Sequence, residues 1–283
     1  MDDSQVKDGI GELLAEAINQ DASSNNHAGA DMPNRHSPVF PERPVAMMDI
    51  QASVNATRTR TLQWLSSLAE CDEYPARSGV RLNPSRIWSG RFGGPIFVQE
   101  DEGTDLNAAV SILLDRSGSM DCLINQAVLA SVASMLALNV PGIATQLTTF
   151  PWYDQGRDEG VAVVKSWSES PTVAARRASA LSTDGGTPMA EALLFAVSDI
   201  KRRAETMKIV VVVTDGEPNN RYQTTEVIEV ARQNGVHVLG LGIQCDTSPV
   251  FGTQYAAMIQ DVAGLPAAMM SLVKAAFKDQ RAA

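Results

Sequence analysis

The chain has 283 residues, of which 44% are hydrophobic and 20% are charged, and this is enough apolar surface to build a large folded core. Its formal net charge of −10, from 23 basic and 33 acidic residues, argues against nucleic acid or an anionic membrane as a general partner. Three widely spaced cysteines and three isolated histidines fit neither a disulfide framework nor a zinc site, which favours a reducing cytoplasm.

Residues 1–44 are predicted to form a tethered amphipathic helix followed by a flexible linker. Apolar residues recur at helical spacing from Val6 to Ile18 after Ser4, a residue type that begins helices, so a helix is expected over residues 4–19. The stretch up to about residue 44 is rich in Ser, Asn, Gly and Pro, which is typical of a linker. The first residues are acidic and no apolar run reaches about 18 residues, so we expect neither export nor membrane insertion.

Residues 45–104 are predicted to be a helical extension and a connector. Pro44 opens a run in which apolar residues return at steps of three or four, and this indicates a helix that continues to about Glu70. Residues 71–104 mix Gly, Pro and aromatic residues without a lasting period, which predicts a connector with one short strand near Ile96–Val98.

Residues 105–283 are predicted to form one α/β domain. Continuous apolar runs of strand length, typical of buried parallel strands, occur at AVSILL, KIVVVVTD and VHVLGLGI. Helical stretches at 121–138, 188–204 and 223–234 alternate with them, and this alternation predicts a doubly wound, mostly parallel sheet. TQLTTF and GVAVVKSW indicate two further strands, expected as an antiparallel hairpin at an edge of the sheet.

The C-terminal residues are predicted to form a closing helix. Met269, Met270 and the apolar residues around them are expected on its inner face, although a Met-rich docking surface is an alternative. The cysteines are interpreted as buried or half-buried small apolar residues.

The residues with the clearest chemistry come just after the apolar strands, which is where open parallel sheets bind ligands. Their carboxylate and hydroxyl groups are hard oxygen donors without sulfur or imidazole, the ligand set that suits Mg²⁺ or Mn²⁺. The sequence therefore predicts a site for Mg²⁺, with Mn²⁺ as an alternative, and no catalytic residues. The predicted site residues are Asp115, Ser117, Ser119, Thr187 and Asp215.

A purely structural interpretation of these residues is also open. Asp115, Ser117 and Ser119 could cap a helix that follows the strand, and Thr187 could cap the helix beginning at Pro188. A serine nucleophile is disfavoured because no histidine lies near the motif in the sequence. Acidic residues in the same loops are interpreted as solvated side chains or as a negative rim, and they are Asp121, Asp184 and Glu217.

The pattern Asp-x-Ser-x-Ser at Asp115–Ser119, with a distant threonine and a later aspartate, resembles the metal-ion-dependent adhesion site of the von Willebrand factor A (VWA) family. The resemblance covers roughly residues 107–265. It implies a Rossmann-like α/β domain, with a mostly parallel central sheet flanked by helices and an N-terminal helical extension. It also implies that the five site residues hold a divalent metal, some directly and others through water.

Finer motifs are similar to one bacterial branch of that family. ILLDRSGSM, GGTPMAEAL and VVVVTDGEPNN resemble the CobT subunit of cobaltochelatase, magnesium-chelatase D subunits and nitric-oxide-reductase activation proteins, all of which work with AAA+ ATPases. The segment from about residue 80 resembles the one that precedes the CobT-type domain. The resemblance implies a non-catalytic adaptor that binds an AAA+ ATPase of the MoxR or cobaltochelatase S type and couples it to a client protein.

Two other functions fit the same resemblance. One is a subunit of a cobaltochelatase-type enzyme that inserts metal into a tetrapyrrole, and the other is a stand-alone metal-dependent adhesion module. The 283 residues contain no G-x-x-x-x-G-K-[ST] motif, so the ATPase is expected on a separate chain.

Overall fold

The structure is a computed structural model that describes residues 16, 32–36, 38, 40, 59, 73–78, 81–100, 107–153, 159–178 and 181–282. The chain divides into two compact units, one made of Met1–Arg58 with Asn107–Ala283 and the other of Thr59–Leu106. The helices predicted over residues 4–19 and up to Glu70 lie outside the described residues, apart from Glu16 and Thr59, which are helical. The predicted domain boundaries at residues 44 and 104 stay predictions.

The described strands, in chain order, are β1 (Asn34–His36), β2 (Glu73–Ala76), β3 (Arg81–Leu82), β4 (Phe97–Glu100), β5 (Ala108–Asp115), β6 (Ile143–Tyr153), β7 (Glu159–Lys165), β8 (Met207–Thr214), β9 (Val236–Ile243) and β10 (Ala256–Ile259). The α-helices in the same part of the chain are α1 (Ile124–Ala137), α2 (Pro171–Ala178), α3 (Met189–Lys201), α4 (Arg221–Gln233), α5 (Ser248–Phe251) and α6 (Leu265–Ala282). Short 3-10 helices include Pro84–Phe92, Gly118–Cys122 and Val262–Gly264.

Within the described residues of the larger unit, seven strands form one sheet in the order β1-β7-β6-β5-β8-β9-β10. Neighbouring strands are parallel except for the antiparallel pair β6 and β7. The three strands predicted from continuous apolar runs are β5, β8 and β9, and they are almost entirely buried, as parallel strands covered on both faces should be. The predicted mostly parallel α/β class is confirmed.

Helices cover the sheet and enclose its core. Helices α3 and α4 pack on a buried cluster that includes Ala109 and Leu113 of β5 and Val210 of β8. Helices α1 and α6 pack against each other and also contact β5 and β8. Met269 and Met270 of α6 are buried, which confirms their predicted place on the inner face. Among the described residues, no helix is both long enough and apolar enough to cross a membrane.

The N-terminal strand β1 corrects two expectations. Residues 34–36 were assigned to the flexible linker, yet they pair in parallel with Gly160–Ala162 of β7. The predicted hairpin of β6 and β7 is antiparallel as expected, but β7 is not the edge of the sheet because β1 lies outside it. The three residues of β1 are polar and are held through the backbone, so hydropathy gave no sign of a strand.

The smaller unit contains the antiparallel strands β2, β4 and β3, with β4 in the middle. The strand predicted near Ile96–Val98 corresponds to β4. The 3-10 helix Pro84–Phe92 precedes β4 and carries the exposed side chains Ile87 and Trp88.

Candidate metal centre

The candidate site lies at the carboxyl ends of the two central strands, β5 and β8, which are neighbours in the sheet. The chain continues from β5 to β6 on one side and from β8 to β9 on the other, so the strand order reverses between them. A reversal of this kind opens a crevice in which α/β domains bind ligands. Asp115 is the last residue of β5, and Asp215 directly follows the last residue of β8.

The loop after β5 is shaped by its own aspartate. The Ser117 backbone N–H donates to Oδ1 of Asp115 at 2.8 Å, a short-range bond of the kind that turns a chain out of a strand. The other carboxylate oxygen, Oδ2, accepts a bond of 2.6 Å from the Thr214 hydroxyl at the end of β8. Asp115 is therefore fixed from both central strands.

Hydroxyl groups join the two loops. The Ser117 and Ser119 Oγ atoms lie 3.1 Å apart, and the Ser119 hydroxyl donates to Oδ1 of Asp215 at 2.7 Å. We call Asp115, Ser117, Ser119 and Asp215 the oxygen cluster. Four of the five site residues predicted from the sequence thus come together in one hydrogen-bonded group.

Thr187, the fifth predicted residue, is brought beside this cluster by backbone contacts. The Gly118 N–H donates to the Gly185 carbonyl at 3.0 Å, which joins the Ser117–Ser119 loop to the Thr187 loop. The Thr187 N–H donates to Oδ1 of Asn219 at 2.9 Å, and the Asn219 N–H returns a bond of 3.0 Å to the Thr187 carbonyl. These bonds fix the Thr187 backbone between the loops that carry the other four residues.

Glycine is required at position 185 for two reasons. Its φ is +62°, in the left-handed region that side chains disfavour. A Cβ atom there would also lie 2.3 Å from the hydroxyl oxygen of Tyr153. Tyr153, the last residue of β6, therefore lies close to the backbone of the loop that leads to Thr187.

The capping interpretation does not agree with the observed bonds. Ser117 precedes the 3-10 helix Gly118–Cys122 but makes no side-chain capping bond, and helix α1 starts only at Ile124. Helix α3 starts at Met189 without a side-chain cap, and within the described part of the chain the Thr187 hydroxyl makes no hydrogen bond. Neither hydroxyl therefore caps a helix.

The oxygen cluster carries two carboxylates and no cationic side chain. The pKa of Asp115 is raised to about 6, mainly because burial removes the water that would stabilise its charge, and the nearby Asp215 contributes to the rise. The hydrogen bonds from Thr214 and Ser117 act in the opposite direction and lower this pKa. A bound cation would favour the ionised carboxylate, so the site is electrostatically suited to a positive ligand.

The donor set fits a small divalent cation. Mg²⁺ binds oxygen ligands at about 2.1 Å in an octahedron, so adjacent ligands lie about 3 Å apart. The oxygen separations of 3.1 Å and 2.7 Å in the cluster agree with that spacing. Across the described residues, no three His, Cys, Asp or Glu side chains could hold a metal together, so an ion here would depend on the serine and threonine hydroxyls as well.

The acidic residues around the site have specific contacts. Asp121 accepts a bond of 2.9 Å from the Thr183 hydroxyl, and Asp184 forms an ion pair with Arg116 at 3.5 Å. Glu217 is exposed to solvent.

The expected burial of the cysteines is wrong for Cys122. This residue ends the 3-10 helix Gly118–Cys122 and is exposed, because the helix buries Met120 instead.

Two contributors to the site were not predicted. Thr214 holds Asp115, and Asn219 holds the Thr187 backbone. Both lie in the stretch VVVVTDGEPNN, in which only Asp215 is a predicted site residue. Thr214 could have been predicted as a site residue, because it is a polar residue at the end of a buried apolar strand.

The fold is a Rossmann-like α/β domain with a cluster of hydroxyl and carboxylate oxygens at the switch point of its sheet. The chain belongs to the von Willebrand factor type A domain family, whose sequence profile matches residues 110–279. Comparison with curated protein sequences finds no match.

Several solved structures are similar to part of this chain, with low sequence identity. Manganese-loaded TRAP protein from Plasmodium vivax is 17% identical, with 60% of this chain and 74% of that chain covered and a TM-score of 0.46. BatB from Bacteroides thetaiotaomicron is 16% identical, with 61% and 100% covered and a TM-score of 0.48. Proximal thread matrix protein 1 from the mussel byssus, with a zinc-occupied MIDAS motif, is 16% identical, with 59% and 45% covered and a TM-score of 0.47.

Proposed function

We propose that this domain binds one divalent cation, Mg²⁺ or Mn²⁺, and uses it to bind another protein. The metal residues of this proposal are Asp115, Ser117, Ser119, Thr187 and Asp215. The observation that carries it is the oxygen cluster at the switch point, where hydroxyls and carboxylates meet without a cationic side chain. When bound, the cation supplies an exchangeable coordination position for an oxygen atom of the partner.

The chain's own residues divide the work. Ser117 and Ser119 present two hydroxyl oxygens at the spacing of adjacent ligands. Asp115, fully buried, contributes charge and orients the Ser117 backbone. Asp215 completes the negative charge from the neighbouring strand. Because the two carboxylates formally neutralise a divalent cation, an uncharged partner oxygen would keep the site neutral, whereas a partner carboxylate would leave it at a single negative charge.

We further propose that the partner is a separate AAA+ ATPase of the MoxR or cobaltochelatase S type, and that the domain couples it to a client protein. The support is the likeness of ILLDRSGSM, GGTPMAEAL and VVVVTDGEPNN to the chelatase-type branch of the family. A cytoplasmic location is part of the proposal, and the exposed thiol of Cys122 agrees with a reducing compartment.

Co-purification tests the partnership. The tagged wild type and the Asp215→Ala variant are isolated from the native host in buffers that retain Mg²⁺ and nucleotide, and bound proteins are identified by mass. Asp246→Ala is the matched control, since Asp246 is an acid in the β9–α5 loop that bonds to the Ser248 N–H. We expect an AAA+ ATPase with the wild type and the control, and none with Asp215→Ala.

Two results would redirect the proposal. Recovery of no ATPase with any of the three proteins would contradict the partnership and favour a stand-alone adhesion module. An ATPase whose turnover in the mixed complex rises on adding a metal-free tetrapyrrole would favour a cobaltochelatase-type subunit instead.

A further inference from the structure

Arg116 lies between two of the proposed ligands and has no part in the function proposed above. Only 5% of its surface is exposed, and its side chain turns toward the end of β6, where the guanidinium carbon lies 4.6 Å from the centre of the Trp152 ring. On its other side the guanidinium pairs with Asp184, whose side chain is 56% exposed. A buried cation beside a site proposed for another cation needs an explanation.

The backbone of Arg116 forms hydrogen bonds with strand β6 and with the loop that contains Asp184. Its N–H donates to the Phe150 carbonyl of β6 at 2.7 Å, and its carbonyl accepts from the Asp184 N–H at 2.8 Å. Residue 116 therefore joins the Asp115–Ser119 loop both to β6 and to the loop that leads to Thr187. Two segments that supply proposed ligands meet at this one residue.

The aromatic support of Arg116 extends to the N-terminal part of the chain. Phe40 packs edge-on against Trp152, with 5.5 Å between the ring centres, and is itself buried. Trp152 thus lies between Phe40 and the guanidinium. A planar guanidinium can stack on a ring and pair with a carboxylate at the same time, and a lysine ammonium cannot do both with the same geometry.

We propose that Arg116 is a positioning residue of the metal centre, which holds the Ser117–Ser119 loop and the Thr187 loop at the spacing that a cation requires. This inference rests on the proposed metal binding. The guanidinium acts through its shape and contacts, since its positive charge alone would repel a cation. Removing it should therefore lower metal affinity even though a repulsive charge is lost.

The chain contains a matched control in Arg232. Its guanidinium carbon lies 3.9 Å from the centre of the Tyr255 ring, and its Nη2 donates to the carbonyls of Val238 and Phe251. The Nε atoms of Arg116 and Arg232 are both buried without a hydrogen-bond partner in the described part of the structure. The two arginines are alike in environment, but the Nη2 atom of Arg232 bonds to β9 and α5.

The experiment measures Mn²⁺ affinity by electron paramagnetic resonance of free Mn²⁺, with a thermal melt of each metal-free protein. We expect R116M to weaken Mn²⁺ binding about tenfold or more, whereas R232M keeps the wild-type affinity although it also lowers the melting temperature. R116K should bind almost as weakly as R116M, because it restores the charge but not the planar contacts. W152L, which alters no proposed ligand, should weaken binding in the same direction.

The results that would contradict the role of Arg116 differ from the result that would contradict metal binding. Wild-type affinity in R116M or R116K would overturn the role of the guanidinium, as would an equal loss in R232M, which would reduce the effect to general stability. If R116M does not fold, R116K and W152L decide the question by the same criteria. A wild type that binds no Mn²⁺ would contradict the proposed function itself, and this inference with it.

Discussion

Two polar clusters lie along the central strands of the sheet, and they differ in how their polar atoms are satisfied. In the first, which we call the amide cluster, the Ser111 hydroxyl donates to Oε1 of Gln146 at 3.2 Å. The Gln146 amide and the Trp167 indole N–H both donate to Oδ2 of Asp199, at 2.7 Å and 2.6 Å. In the oxygen cluster, the carboxylates of Asp115 and Asp215 are contacted mainly by hydroxyls.

The difference lies in the supply of N–H donors. Asp199 in the amide cluster receives two side-chain N–H groups, so its Oδ2 atom is hydrogen-bonded within the protein. The oxygen cluster concentrates two carboxylates and two hydroxyls, and the side chain of Arg116, which follows Asp115 in the chain, turns toward Trp152 and Asp184. Burial accordingly raises the pKa of Asp115. A satisfied cluster stabilises the fold, whereas a cluster of acceptors is suited to hold a cation.

The largest effect is expected from removing the central carboxylate of the oxygen cluster. A ligand that binds only the folded state stabilises it by about 2.7 kcal/mol at a hundredfold excess over Kd. Wild-type protein should therefore melt at a higher temperature in Mg²⁺ than in EDTA, and Asp115→Ala should melt at the same temperature in both. An identical Mg²⁺ response in wild type and variant would show that Asp115 is not part of the site.

The amide cluster should behave in the opposite way. Asp199→Ala leaves the Gln146 and Trp167 N–H groups without their acceptor, which costs about 1–3 kcal/mol for each buried group that stays unpaired. The free energy of unfolding in urea should fall by about that amount, while the difference between melts in Mg²⁺ and in EDTA stays at the wild-type value. A lost Mg²⁺ response in this variant would mean that the two clusters are not separate.

A smaller effect is expected from pH. Because the folded pKa of Asp115 is about 6, above its ordinary value, the metal-free fold binds this proton more tightly than the unfolded chain. The contribution of this group to stability therefore falls as pH rises from about 4 to about 6. Mn²⁺ needs the ionised carboxylate, so its affinity should fall about tenfold per pH unit below pH 6 and level off above it. Titrations at pH 5, 6, 7 and 8 measure this, and equal affinities at pH 5 and 7 would contradict it.

The smallest effect is expected at the start of the amide cluster. Ser111→Ala removes one neutral hydrogen bond, to Gln146, and such a bond contributes about 1 kcal/mol. Urea unfolding should show a loss of about that size, with Mn²⁺ affinity unchanged. A loss of several kcal/mol would indicate that the cluster acts as a single network rather than as a sum of bonds.

Long buried strands can be predicted from the sequence, whereas short edge strands cannot. Strands β5, β8 and β9 are continuous apolar runs, so their ends and the positions of Asp115 and Asp215 followed from hydropathy. Strands β1 and β10 have three and four residues and are held through backbone pairing, which leaves little trace in the side-chain pattern.

The same limit applies within the site. The identity of the oxygen donors could be predicted because each directly follows a strand or forms part of a short motif. The placement of Thr187 depends on bonds to Gly118 and Asn219 through two other loops, and the direction of the Arg116 side chain depends on Trp152 and Asp184. Contacts between residues far apart in the sequence are set by packing, and no local pattern reports them.

If the oxygen cluster is a site for one divalent cation, as the claim above has it, a calorimetric titration with Mg²⁺ should detect that ion. The proteins compared are the wild type, the double variant Ser117→Ala/Ser119→Ala and the control Ser111→Ala, whose lost hydroxyl belongs to the amide cluster. We predict one Mg²⁺ bound per chain in the wild type and in the control, and no measurable binding in the double variant. Equal binding in all three proteins, or none in the wild type, would contradict the claim.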